Sequence, residues 1–516
     1  MIFLQDLKIK YQFNPKQIRV LLIFVLLLSS INSFAQELEN QFNIISDNND
    51  MMGGSLVVFC EDGIIENLAI GKSDFQRDLD VTEDTKYRIA SVSKTITAIA
   101  VMQLVEQDLL DLDEDLSRIL DYTVQNPNHP DSPITTRMLL SHTSSIIDGS
   151  TYGSFITASV INNPIPNLSE ILTADGSYYT SNQFNNTVPG TYFNYSNINY
   201  VILGTIVEKI SNVRFDIYCK ENISTPLDID ASFNVNDLAD INQLAVLYRK
   251  PGGLWTPQAD NYQGIQPIFN NLTGYTPGTN GGRFGPQGSF RSSAQDIAKI
   301  FLVLMNGGSY DGVSLLSEAS CSTMLANEWT YDGNNGNNYF GLFRSWGLGI
   351  HRTTSTPGGD IVLPGSNAMF GHLGEAYGLV SDAYFDTERQ VGLVFMTNGV
   401  GVGYQLNDFS VFYTVEQEIF NAIENHVNIE DCSESIGVDQ FETKKIPIYP
   451  NPSSDVLNIP ECISSTGCKI EIFSVSGKKL KTIHQNSEDT QIDIQELQTG
   501  TYIIRIDGLS YKFIKE

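Results

Sequence analysis

Positive charge is scarce in this chain: 31 lysines and arginines stand against 60 aspartates and glutamates, a net charge of −29 over 516 residues. A surface of that sign repels nucleic acid and anionic membrane, so neither is expected as a partner. Histidines number six, and no His, Cys and carboxylate cluster has the spacing of a metal site, so no metal and no cofactor is expected. The apolar run Val20–Leu28 is too short to span a bilayer, which takes about 20 residues. It follows Lys8, Lys10, Lys16 and Arg19 and precedes the small-x-small site Ser33-Phe34-Ala35, so residues 1–35 read as a secretory signal peptide. Among six cysteines, Cys462 and Cys468 are close enough to pair, which an oxidising exterior permits. Cys60, Cys219, Cys321 and Cys432 are scattered, and their connectivity is not readable from spacing.

The most informative stretch that is present is Tyr87-Arg-Ile-Ala-Ser-Val-Ser-Lys94, which sets Ser91 three residues ahead of Lys94 at the mouth of an apolar run, Thr95 to Glu106. That run has the all-round apolar character of a buried helix. Residues three apart on a helix are neighbours, so an amine stands ready to take the serine proton, and the helix N-terminus favours the alkoxide. A capping serine followed by a surface lysine gives the same four residues. Ser476-Gly-Lys-Lys479 repeats the spacing in a glycine turn with no helix after it, so context matters more than the pattern.

Two further segments supply that context. Val188-Pro-Gly-Thr-Tyr-Phe-Asn-Tyr-Ser-Asn197 ends in Tyr195-Ser196-Asn197 before a helical run, Asn199 to Ile210, although Tyr192-Phe193-Asn194 fits the same Tyr-x-Asn pattern. Gly371-His-Leu-Gly-Glu-Ala-Tyr-Gly378 contains His372-Leu373-Gly374, the only histidine here followed by x-Gly, ahead of strand-like Leu379–Phe385 and Gly392–Met396. Ser-x-x-Lys, Tyr-x-Asn and Lys/His-x-Gly in this order resemble the motif set of the serine β-lactamase and penicillin-binding-protein superfamily, here its class C, DD-peptidase and esterase branch. Leu139-Leu-Ser-His-Thr-Ser144 and Gly288-Ser-Phe-Arg-Ser-Ser-Ala-Gln-Asp296 are similar to two structural segments of the same family. The resemblance covers about residues 50 to 425.

What the resemblance implies is an α+β fold: a mainly antiparallel sheet flanked by helices, a helical lobe, and an active site between them. Gly54–Cys60 and Ile64–Ile70 read as the first hairpin around Glu61-Asp62-Gly63. By the same resemblance, Ser91 attacks a carbonyl, Lys94 and Tyr195 move its proton, Asn197 holds Lys94 and the substrate, and the backbone N–H groups of Ser91 and Glu375 form an oxyanion hole that Gly374 leaves open. Both amine and phenol ordinarily titrate near ~10, so one must be shifted to act at neutral pH, and spacing leaves open which. His372 stands where many relatives carry a permanently cationic lysine; with a usual value near ~6.5 it is a weaker anchor for a substrate anion. This disfavours efficient penicillin hydrolysis and favours an amide or ester substrate such as a peptidoglycan-like peptide, with a β-lactam and a catalytically silent binding protein as the alternatives. His142 reads as a structural histidine. The loop-rich stretches 146–187 and 250–284 are of the length that shapes substrate access.

Beyond a helical run at about 410–427, residues 428–445 are polar and read as a linker. Residues 446–516 carry short alternating runs, Val456–Ile459, Lys469–Phe473, Ile492–Ile494 and Tyr502–Ile506, punctuated by glycines, which is the pattern of a small β-sandwich. Tyr449-Pro-Asn-Pro452 and Gly500-Thr-Tyr-Ile-Ile-Arg-Ile506 resemble the C-terminal sorting domain of type IX secretion substrates; a small carbohydrate-binding or adhesive sandwich would have the same outline. The expected order is thus signal peptide 1–35, hydrolase domain 36–427, linker 428–445 and sorting domain 446–516. The resemblance makes the type IX machinery a partner and the cell surface or medium the destination.

Overall fold

A computed structural model describes residues 37–267, 272, 274–402, 410–427, 432, 453–458, 468–474, 479–485, 491–497, 499–506 and 509–515. The expected leader at 1–35, the Ser476 turn, most of the expected linker and a Cys462–Cys468 bridge fall outside the described residues and side chains. The chain divides into two compact units, Met1–Ser435 and Ile436–Glu516.

The first unit is built on one antiparallel sheet of nine strands: β1 (Gly53–Cys60), β2 (Gly63–Asp74), β3 (Leu79–Asp80), β4 (Trp329–Thr330), β5 (Ser345–Trp346), β6 (His351–Arg352), β7 (Phe370–Ala376), β8 (Leu379–Asp386) and β9 (Val391–Thr397). Their order across the sheet is β4-β5-β6-β7-β8-β9-β1-β2-β3, so the first hairpin is spliced onto the last three strands. Every residue of β1, β8 and β9 is buried, as near-continuous apolar strands in the middle of a covered sheet must be. The register Val57↔Val394 and Val58↔Leu393 turns alternate side chains to opposite faces.

One face carries Leu56, Val58, Leu393 and Phe395 against α1 (residues 37–48) and the last helix. The other carries Val57, Phe59, Val394 and Met396 into the larger core. That core holds α2 (Ser93–Glu106), buried from Ser93 through Leu104 on every side, crossed by α3 (Asn197–Ser211), with α4 (Ala294–Met305) laid on the sheet. The last helix, α5 (Thr414–His426), opens four residues later than the sequence pattern suggests, where Glu416 reaches back to accept the Tyr413 N–H at 2.6 Å. The α+β expectation therefore holds, with three two-residue strands added at one edge.

Two of the scattered cysteines are joined: Cys60, closing β1, forms a disulfide with Cys432, 372 residues away, and Cys432 is buried in the first unit although it falls inside the stretch read as linker. Cys219 and Cys321 are free and buried. The second unit pairs strands Lys479–Gln485, Cys468–Ser474, Gly500–Ile506 and Leu509–Lys515 in one sheet, and Val456–Asn458 with Gln491–Asp493 in another. Leu457, Ile470, Ile472, Ile492, Ile494 and Ile504 form one core shared by both sheets. Lys479–Gln485 and Leu509–Lys515 are strands that the alternation did not single out.

Candidate active site

Ser91 sits in a 3₁₀ turn, Ala90–Val92, between a short ladder (Lys86–Arg88 with Arg291–Ser293) and α2. The bend is sharp enough to hold Ala90 at φ 47°, a left-handed conformation that a non-glycine residue adopts only under constraint. The constraint comes from both sides: Ile89 N–H donates to Phe290 O at 3.0 Å, and the Ser381 hydroxyl donates to Ile89 O at 3.0 Å. Strand β7 runs directly beneath. A Cβ on Gly374 would lie 2.5 Å from Ser381 Oγ, 2.6 Å from Ile89 O and 3.0 Å from Ser91 N, so only glycine lets the strand pass the serine amide this closely.

Lys94 is fully buried one turn on. Its Nζ lies 2.9 Å from Ser91 Oγ, 2.9 Å from Asn197 Oδ1 and 2.7 Å from the carbonyl of Gln287, and 4.9 Å from the centre of the Tyr195 ring. None of these direct partners is a carboxylate. Burial therefore pulls the amine down to about 7, against a smaller upward pull from Asp148. The Tyr195 phenol moves the other way, raised by desolvation and only partly offset by its hydrogen bond with Ser91. The Tyr195 ring stacks on Phe343 at 5.3 Å and on His142 at 4.4 Å. Of the two Tyr-x-Asn candidates, it is Asn197 that meets Lys94, while Phe193 of the other is fully buried in the aromatic cluster with Trp329 and Trp346.

Three supports surround the site, and the first two were not legible in the sequence. Asp148 accepts from the backbone N–H of Asn197 (3.1 Å) and Ile198 (2.8 Å), the first free donors of α3, and from Asn197 Nδ2 at 2.8 Å, which turns the amide oxygen toward Lys94. The Gln287 carbonyl is brought in by Thr97, whose hydroxyl donates to Pro286 O at 2.8 Å, and by Gly204 of α3, where a Cβ would stand 2.7 Å from the Pro286 ring. His142, expected to be structural, accepts the Ser196 N–H at Nδ1 (3.2 Å) and backs Tyr195. An Asp-Gly dipeptide, a Pro-Gln dipeptide and a helical glycine have no local signature of chemistry; only the long-range contacts reveal them.

His372, read as a weak anchor for an anion, lies on the cavity wall. Its ring is fully buried, Nδ1 donates to its neighbour's carbonyl, Leu373 O, at 2.6 Å, and burial beside Lys94 holds it far below its usual range. That direction favours the neutral ring, which attracts an anion less than a free histidine does.

A cavity of about 570 Å³ opens beside Ser91, lined by Tyr195, Asn197, His372, Gly374 and an aromatic wall of Tyr339, Phe343, Phe412 and Tyr413. Among the described residues that line it there is no lysine or arginine. Its carboxyl groups are Glu375, exposed and accepting from Tyr413 Oη at 2.7 Å, and Glu416, buried beside Asp382. Burial drives both members of that second pair upward, which favours a proton shared between them over two neighbouring charges. Among the described residues no helix is long and apolar enough to cross a membrane and no group of side chains could hold a metal ion.

Residues 38–411 match the model of the Beta-lactamase family, and the chain belongs to it. Residues 447–516 match the secretion system C-terminal sorting domain, a mark of export. The chain is 27% identical over 186 residues to Protein flp of Staphylococcus aureus (strain MRSA252), 36% of this chain and 35% of that one, so the match spans about a third of that relative's length. Among solved structures it resembles EstCE1, a hydrolase with promiscuous acyltransferase activity (TM-score 0.57, 18% identity, 77% of this chain and 99% of that one). It also resembles the D-amino acid amidase of Ochrobactrum anthropi SV3 (TM-score 0.53, 21% identity, 75% and 98%).

Proposed function

We propose that this chain is an exported serine hydrolase that cleaves an amide or ester through an acyl-enzyme on Ser91, of DD-carboxypeptidase, D-aminopeptidase or esterase type. One observation carries the reading: a fully buried lysine with its pKa pulled to about 7 stands 2.9 Å from the serine hydroxyl. An amine in that state is unprotonated in about half the molecules at neutral pH and takes the Ser91 proton as the oxygen attacks. Tyr195, whose phenol is held protonated by its surroundings, is suited to donate to the departing group. Ser91 N, with Glu375 N on the strand that Gly374 lets in, is the oxyanion hole; losing such a donor typically costs about 3–4 kcal/mol of barrier. Asn197, its amide aimed by Asp148, holds the amine.

The cavity supports the neutral or amine-bearing substrates of the D-aminopeptidase and esterase types over β-lactams, and over the carboxypeptidase type, since the carboxylate of a penicillin or of a peptide C-terminus would meet Glu375 and a neutral His372 where a cation is needed. The sorting domain supports passage through the type IX machinery to the cell surface or medium. Parallel assays on a p-nitrophenyl ester and a chromogenic cephalosporin test the reading, with mass spectrometry for the acyl group. Ester turnover with an adduct on Ser91, abolished in Ser91→Ala, is the expected result. Faster cephalosporin turnover would make the protein a β-lactamase, and full activity in Ser91→Ala would remove the serine from the mechanism.

A further inference from the structure

Phe340 stands at the mouth of the cavity beside Ser91 with 92% of its surface exposed, more than any other large apolar side chain among the described residues. Its backbone is left-handed at φ 62°, and so is that of Tyr339 before it, at φ 49°. Bulky residues avoid this region, and two in succession are held there only when neighbours fix them. Tyr339 is fixed: its hydroxyl donates to the carbonyl of Tyr195 at 3.4 Å, and its ring stands edge-on to Phe343 at 5.2 Å. The strain therefore serves to hold one aromatic ring over the opening from an anchor on the Tyr195 backbone. In the free protein that ring packs against little and repays none of it.

We propose that Phe340 is a substrate clamp, closing over an uncharged aromatic or alkyl group of the substrate lodged against Phe343, Phe412 and Tyr413. The chemistry of the cavity sets that class: rings on the walls, no lysine or arginine among the described lining residues, and the exposed Glu375 carboxylate, which disfavours an anion. Ring-on-ring contact adds to burial of the apolar group, so the clamp contributes to binding and not to the bond-breaking step. The proposal rests on the hydrolase reading only in taking the cavity beside Ser91 as the substrate's.

The test uses the full chain with Ser91→Ala, so that an ester probe survives, and measures the Kd of 2-phenylethyl acetate by calorimetry. Adding Phe340→Gly or Phe340→Ala is expected to weaken binding about tenfold, or 1.4 kcal/mol. Phe75→Ala, which removes another exposed phenylalanine outside this cavity, is expected to leave Kd unchanged. Phe340→Gly also frees the left-handed backbone, so its Tm should lie at or above that of Phe340→Ala. No binding by the parent, or equal binding with and without the Phe340 ring, overturns the clamp. Hydrolysis of the probe by Ser91→Ala would instead overturn the role of the serine, while the comparison between Phe340 variants still decides the clamp through KM.

Discussion

Two lysines of the first unit are buried almost completely, and their surroundings differ in one respect. Lys86, 3% exposed, places its Nζ 2.9 Å from the Asp230 carboxylate and 2.7 Å from Gln243 Oε1. Lys94, with no exposure at all, is met only by a hydroxyl, an amide oxygen and a backbone carbonyl. Burying an ammonium is costly unless a negative charge compensates it. The first lysine has that compensation and ties strand to loop; the second lacks it, and burial pulls its amine down to about 7. The same residue type is thus made structural or reactive by whether a carboxylate is within reach.

The largest effect is expected from Lys94→Met, which removes the proposed base: kcat should fall about 10³–10⁴-fold. Its Tm should nevertheless rise. The folded amine holds its proton less tightly than an unfolded lysine near ~10.4, so its cost to folding is full below about pH 7 and shrinks as pH climbs toward the unfolded value. Thermal melts of both proteins at pH 6 and pH 10 check the sign, since the gap should narrow at pH 10. Next comes Asn197→Asp, which gives Lys94 the carboxylate that Lys86 enjoys. The wild-type rate should rise with pH through about 7; in the variant the amine stays protonated longer, the rise moves to higher pH, and activity at pH 7 drops about 10–100-fold.

The converse change, Asp230→Asn, strips Lys86 of its partner. Because Asp230 is one-third exposed, the loss of stability should be modest, about 1–2 kcal/mol by denaturant melt, with kcat retained. The smallest effect belongs to Asp148→Asn, which keeps a hydrogen-bonding side chain at the start of α3 but removes the charge that raises Lys94. The rise of the rate profile should move to lower pH, which a pH-stat series would detect.

How much of this was legible in the sequence follows from the range of each interaction. Ser91 and Lys94 share one turn, and Tyr195, Asn197, His372 and Gly374 lie in short segments with a fixed order, so local spacing and a family resemblance named them. Of the groups around Lys94, Asn197 came with the resemblance, whereas the Gln287 carbonyl reaches the amine across 193 residues and the burial that lowers it comes from the whole fold. The neutrality of His372 depends on burial against Trp346 and Tyr195, which no residue next to it announces. The long strands were readable because a fully buried strand is an unbroken apolar run, whereas Trp329–Thr330, Ser345–Trp346 and His351–Arg352 are two residues each and have no period to read. The Cys60–Cys432 pairing spans nearly the whole hydrolase unit and no spacing rule reaches so far.

That crosslink also decides where a pull on the tail would be felt. The chain passes from β1 through the whole sheet and α5 before it returns to Cys432, and there a covalent bond shorts it back to the end of a strand paired on both sides in the sheet. Tension applied beyond residue 432 is delivered to β1, whose long ladders to β2 and β9 must shear together before they yield. Without the bond the same tension would peel α5 away from its end, one turn at a time, and uncover the wall of the cavity that Phe412, Tyr413 and Glu416 supply.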